Sequence, residues 1–360
     1  MSFDLSKLIE DVFAPESGER VVVTLDTPHP GVADTPEWRD RRAWAGEWRQ
    51  AFESLGARRG FTTTELLTYE ATGANNADLP AEAEMGGRAV PLEATLLECT
   101  LAVFLTEFSA TAPLDGLSHR KQDFRAASMP GVARRMQDSA LAADYREVAR
   151  RCKILEKALQ GATALDVTFQ TGQRCHFDLR FRRPEADDGA LPRFKPGDRV
   201  INLPSGETFI VPYEGEKVGV PSETAGVIPI REGTELVLFH ISANRISTVS
   251  GSGPVSERYR EFFAVDRTRT NIAEVAFGCN DRAIVTGNVL EDEKAGFHWA
   301  FGRSDHLGGV TGVADFASPR TVVHQDIVYA KGNPIQVGEA VVNRPDGRVQ
   351  VIANGAYVVF

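Results

Sequence analysis

The residues most able to do chemistry together are His324 and Asp326, in the run Val322-Val323-His324-Gln325-Asp326-Ile327. The β-branched neighbours predict a strand. On a strand, residues two apart project from the same face. An imidazole and a carboxylate presented side by side can bind one divalent ion, and nitrogen and oxygen donors suit Zn, Co, Mn or Fe. On spacing alone, a His–Asp hydrogen bond at a strand surface is the commoner outcome.

Three further residues change that balance. Glu207 follows a Pro-Ser-Gly turn and opens the apolar run TFIVP. Glu274 sits inside IAEVAFG, and His298 lies between aromatic residues in GFHWAFG. An ionised carboxylate in an apolar strand is costly unless a cation or hydrogen bonds offset it. One buried histidine is usually a satisfied core residue. Two carboxylates and two imidazoles in successive strands are expensive as isolated groups and sensible as a metal cage.

The elements that must position these residues divide by texture. Residues 20–25 (RVVVTL) predict a strand, and a helix follows over roughly Trp38–Leu55, with Trp44, Trp48, Phe52 and Leu55 at three- and four-residue steps. TTTELLTYE and TLAVFLTEF predict two more strands, so residues 1–162 read as an α/β N-terminal domain. A helix is expected over Ser139–Leu159, closed by Gly161. From Ala164 short strands and turns dominate, beginning with a hairpin about Thr171-Gly172. Residues 163–360 therefore read as a β-rich α+β C-terminal domain that carries every candidate ligand.

A length of 360 residues suits two ordinary domains. The 42% hydrophobic and 25% charged residues are globular values. A net charge of −10 argues against a nucleic-acid partner, which needs a basic face. No stretch reaches the roughly 20 apolar residues of a membrane span, and the acidic N-terminus does not fit a secretory signal. The scattered Cys99, Cys152, Cys175 and Cys279 form no CxxC and read as reduced thiols of a cytoplasmic protein.

The segments NLPSGETFIVP, IAEVAFGCND, TGNVLEDEKAGFHWAFG and VVHQDIVY, in this order, resemble the aminopeptidase T/aminopeptidase S family of metalloaminopeptidases. The likeness is good over roughly residues 200–330 and loose in the N-terminal half, where LSHRKQDFRAASMPGV carries it. It implies a homodimeric hydrolase with two adjacent divalent ions (Zn, Co or Mn), a variable α/β N-terminal domain, and cleavage of an N-terminal amino acid from a short peptide or related small molecule. Carried over by position, the metal ligands would be Glu207, Glu274, His298, His324 and Asp326. Two close ions lower the pKa of a bridging water and polarise a carbonyl, and a carboxylate such as Glu274 can relay a proton.

The sequence also departs from that family. A tyrosine usual a few residues beyond the FHWAFG-like segment is missing, and His306 is the candidate proton donor or carbonyl polariser in its stead, or else an exposed loop histidine. The runner-up resemblance is to dihydroxypyridine ring-cleaving dioxygenases, which bind one Fe(II) through two His and one Asp. Here Glu207, Glu274 and His298 are retained, which favours hydrolysis. Lesser candidates are the Glu291-Asp292-Glu293 cluster, expected on a solvated loop, the Cys175-His176 pair, expected to be structural, and His119 with Arg120 as weak substrate contacts.

Overall fold

The computed structural model describes residues 3–197 and 199–360. The chain forms two compact units, each gathered from three segments. The first comprises Met1–Ala149, Asp187–Gly206 and Asn280–Lys294; the second comprises Arg150–Ala186, Glu207–Cys279 and Ala295–Phe360.

In the first unit a parallel sheet runs in the order Val200–Asn202, Arg125–Ser128, Leu101–Leu105, Arg20–Thr27, Leu67–Glu70, and an antiparallel hairpin extends it at Glu82–Met85 and Arg88–Pro91. Strands of such sheets are buried on both faces and read as continuous apolar runs. Val21, Val23 and Leu25 accordingly enter one core with Trp44, Trp48 and Phe52. Val22 enters the opposite core with Leu92, Leu96 and Leu114.

The helix that supplies the tryptophans spans Pro36–Arg59, longer at both ends than its apolar periodicity suggests. Its caps set those ends: Thr35 accepts from Trp38 N, and Gly60 adopts φ 84° after the last turn. The helix expected from Ser139 begins instead at Tyr145. Ser139 Oγ and Ala140 N are engaged by the buried Glu291 carboxylate, so this stretch holds only a short 3₁₀ turn, Ala140–Ala142.

At the carboxyl end of the central strand, where open α/β sheets commonly take ligands, the chain uses its own Asp26. That carboxylate accepts from Trp38 Nε1 and from the amides of Glu107 and Phe108.

The second unit is built on two antiparallel sheets. One is eight-stranded, from Arg245–Ser250 through Glu235–Ser242, Ala225–Glu232, Arg174–Asp178, Ala164–Phe169, Val337–Arg344 and Gly347–Ala353 to Ala356–Tyr357. In the other, Glu207–Ile210, Ile272–Gly278, Gly296–Gly302 and His324–Ala330 lie side by side. Aromatic contacts join the sheets: Trp299 lies edge-on to Phe239 at 5.7 Å, and Tyr329 packs on Phe169 at 5.0 Å. The buried Tyr329 hydroxyl donates to Pro229 O at 2.9 Å and accepts from Trp299 Nε1 at 3.2 Å. The odd-numbered residues of the Gly296–Gly302 strand are thereby committed to this core, and the even-numbered ones face away from it.

Candidate metal centre

Strand alternation puts five polar side chains on that opposite face. Across the ladder Glu274 pairs with Ala300 and Ala300 with Asp326, while Ala276 pairs with His298. His324 pairs with Gly302, and Glu207 with Gly278. Small residues alternate with the long polar ones, so the side chains converge above Ala276 and Ala300. A β-bulge between Ile272 and Glu274 sets the aim of the Glu274 side chain.

The five residues form two groups whose nitrogen and oxygen atoms lie within 4.8 Å of one another: Glu207, Glu274 and His298, and Glu274, His324 and Asp326. Glu274 belongs to both, and its oxygens are divided between them. Oε1 lies 3.7 Å from His298 Nε2, and Oε2 lies 3.1 Å from His324 Nε2. His298 Nε2 is also 3.2 Å from Glu207 Oε2, and Asp326 Oδ1 is 3.7 Å from His324 Nε2.

Both imidazoles are oriented from behind. His324 Nδ1 approaches Arg303 O at 2.7 Å and His298 Nδ1 approaches Gly296 O at 3.2 Å. A carbonyl oxygen only accepts, so both Nδ1 atoms carry hydrogen and both Nε2 atoms face the carboxylates. A backbone acceptor behind the ring is the usual support of a metal-binding histidine. His298 Nε2 and Asp326 Oδ1 are buried and make no hydrogen bond of proper geometry. Buried polar atoms are costly when unsatisfied, and a cation shared among these donors would satisfy both. The donor set therefore fits divalent metal.

The charges agree with this geometry. Burial alone pushes the Glu274 carboxyl up, but the imidazoles of His298 and His324 more than reverse it and hold the group well below its usual range. Burial depresses His324, yet the Glu274 hydrogen bond and the Asp326 charge raise it to about 9. His298 is raised well above its ordinary value by Glu207 and Glu274 against the same opposing burial. Both imidazoles are thus held towards their cationic forms by the surrounding carboxylates. Asp326 is raised, by burial first and by the neighbouring carboxylates, with His324 opposing.

His306 lies in the turn Asp305–Leu307, its ring centred 5.0 Å from that of His324 in an edge-on contact. Burial and the adjacent His324 and Arg303 charges lower it to about 4. It is therefore neutral at pH 7 and able to accept a hydrogen bond or a proton.

The lesser candidates lie elsewhere. Glu291 and Asp292 do not form a solvated loop face. Glu291 is fully buried on Arg135, Ser139 and Ala140, and Asp292 accepts from the amides of Thr286 and Gly287. Cys175 is buried, and His176 Nδ1 pairs with Asp166 Oδ1 at 2.7 Å. His119 is exposed near the end of a helix, bonded to Asp115 O. Glu214, which no motif marked, lies directly behind the His306 turn and accepts from Ser304, Val310 and Thr311.

No family model matches the chain, and no curated protein matches it. Among solved structures it is similar to a 2,5-dihydroxypyridine dioxygenase from Pseudomonas putida KT2440, with 18% identity and a TM-score of 0.64 over 98% of this chain and 96% of that one. It is also similar to wild-type AmpT from Thermus thermophilus, with 15% identity and a TM-score of 0.57 over 98% of both chains. At such identities the likeness shows the fold, which is α/β in the first unit and β-rich in the second. Among the described residues no helix is long and apolar enough to cross a membrane.

Proposed function

We propose that the chain is a metal-dependent hydrolase of an amide or other C–N bond, acting on a short peptide or a small molecule in the manner of a leucyl-type aminopeptidase. The observation that carries this reading is the division of Glu274. One carboxylate oxygen faces the Glu207–His298 group and the other faces the His324–Asp326 group, as a carboxylate shared by two ions would. The sequence resemblance to the aminopeptidase T/aminopeptidase S family supports it independently.

Glu207, Glu274 and His298 would hold one ion, and Glu274, His324 and Asp326 the other. Bound there, two divalent ions would polarise a carbonyl and acidify water, the usual contribution of paired metals to hydrolysis. The chain's own groups supply the rest. The carbonyls of Arg303 and Gly296 fix the ring orientation of the two ligand histidines. His306, neutral and beside His324, can take up a proton or hydrogen-bond the substrate.

A second reading has its own support. Glu274, His324 and Asp326 form a three-donor set by themselves, sufficient for one Fe(II) in an oxygenase, and the fold is shared with a protein named as a dioxygenase. The two readings separate in one assay. Metal-loaded protein should release amine from aminoacyl amides under nitrogen. Oxygen uptake with a hydroxylated N-heterocycle, and no amide turnover, would instead establish the oxygenase.

A further inference from the structure

Glu214 is almost wholly buried, with a side chain 4% exposed, yet it holds five donors. Oε1 accepts from Asn271 Nδ2 at 2.8 Å, Ser304 Oγ at 2.8 Å and Thr311 Oγ1 at 2.6 Å. Oε2 accepts from Val310 N at 2.6 Å and Arg182 Nη2 at 3.2 Å. A carboxylate has about four lone-pair positions, so this one is saturated. Ser304 and Thr311 are the neck of the loop that carries His306, and Ser304 N bonds Thr311 O at 2.9 Å across that neck. Gly309 permits the close approach, since a Cβ there would stand 2.3 Å from Ser304 Oγ and 2.8 Å from Glu214 Oε2.

The same loop begins at Arg303, whose carbonyl holds His324 Nδ1. On its other side Glu214 reaches Asn271, which also donates to Gly302 O at 3.0 Å. One buried carboxylate thus ties together the end of the His298 strand, the start of the Glu274 strand and the loop over the site. Three of its five donors, Ser304 Oγ, Val310 N and Thr311 Oγ1, belong to the loop that follows Arg303 and carries His306.

We propose that Glu214 is a positioning residue of the metal centre: it locks the Ser304–Thr311 loop so that Arg303 O orients His324 and the His306 ring stays against it. The consequence for turnover rests on the hydrolase reading; the positioning itself does not. Removing a group that orients a ligand from behind typically costs 10–100-fold in metal affinity or activity. Glu214→Gln should therefore lower kcat by about that factor with KM little changed.

The decisive test uses metal-free full-length protein labelled with ¹⁵N-histidine. The Nδ1–H protons of His324 and His298 are followed in wild type, Glu214→Gln and the near-isosteric Thr311→Val. The His324 proton should exchange about tenfold faster or more in both variants as its loop opens locally. The His306–His324 ring cross-peak should weaken. The His298 proton, whose acceptor Gly296 O is remote from the loop, should not change. Folded variants with an unaltered His324 proton and cross-peak would overturn the proposal, and so would equal loosening of His298 and His324, the sign of general destabilisation. A wild type that takes up no metal would refute the hydrolase reading and leave this result standing.

Discussion

At the scale of single residues, protons and the proposed metal would compete for the same atoms. His324 is raised from 6.5 to about 9 in the metal-free protein because Glu274 and Asp326 favour its cation. A group raised on folding contributes stability that is fully present below its unfolded pKa and is lost as pH climbs through the folded one. The metal-free protein should therefore lose stability as pH rises from about 6.5 towards about 9. A divalent ion must displace that proton from Nε2, so metal binding releases it. Apparent metal affinity should rise over the same window by up to about tenfold per pH unit for each proton released. Calorimetric titrations with Zn²⁺ in buffers of different ionisation heat would measure both. Affinity independent of pH would mean that His324 is not a ligand.

At the scale of elements, strand alternation selects the face and neighbouring backbone fixes the aim. The alternation was legible in the sequence: His324 and Asp326 two apart, His298 between aromatic residues, Glu274 within an apolar run. The bulge beside Glu274, the carbonyls behind His324 and His298, and the Glu214 clamp were not, because each depends on chain segments distant in sequence. Glu214 lies 90 positions before its partner Ser304. The same limit explains the late start of the helix at Tyr145, since Glu291, which holds Ser139, is 152 positions away.

A long-range contact of another kind ties the strand Arg125–Ser128 to the end of the helix Leu5–Phe13. Arg125 and Glu19 form a wholly buried ion pair, and Arg125 also donates to Phe13 O and Leu191 O. Removing one partner of such a pair typically costs about 3–5 kcal/mol. Arg125→Ala should lower the urea midpoint by that equivalent without altering metal content, whereas an unchanged midpoint would deny the pair any structural part.

At the scale of the whole molecule, the fold does not choose the chemistry. The chain shares its architecture over 98% of its length with a protein named as a 2,5-dihydroxypyridine dioxygenase and with AmpT, and one fold commonly hosts different reactions. The sequence reads as two domains, 1–162 and 163–360, whereas the compact units are each gathered from separate stretches; the place of Asp187–Gly206 and Asn280–Lys294 in the first unit was not legible, since short excursions leave no mark on composition. The two proposed reactions differ in how many ions the five donors would hold, and Glu274, common to both groups, is the pivot. The most direct measurement is metal content by mass spectrometry on wild type, Glu207→Ala and Glu274→Ala, each purified without chelator. About two ions are expected in wild type, about one in Glu207→Ala and essentially none in Glu274→Ala. A wild type holding a single iron, or a Glu274→Ala variant that keeps its full complement, would contradict this expectation.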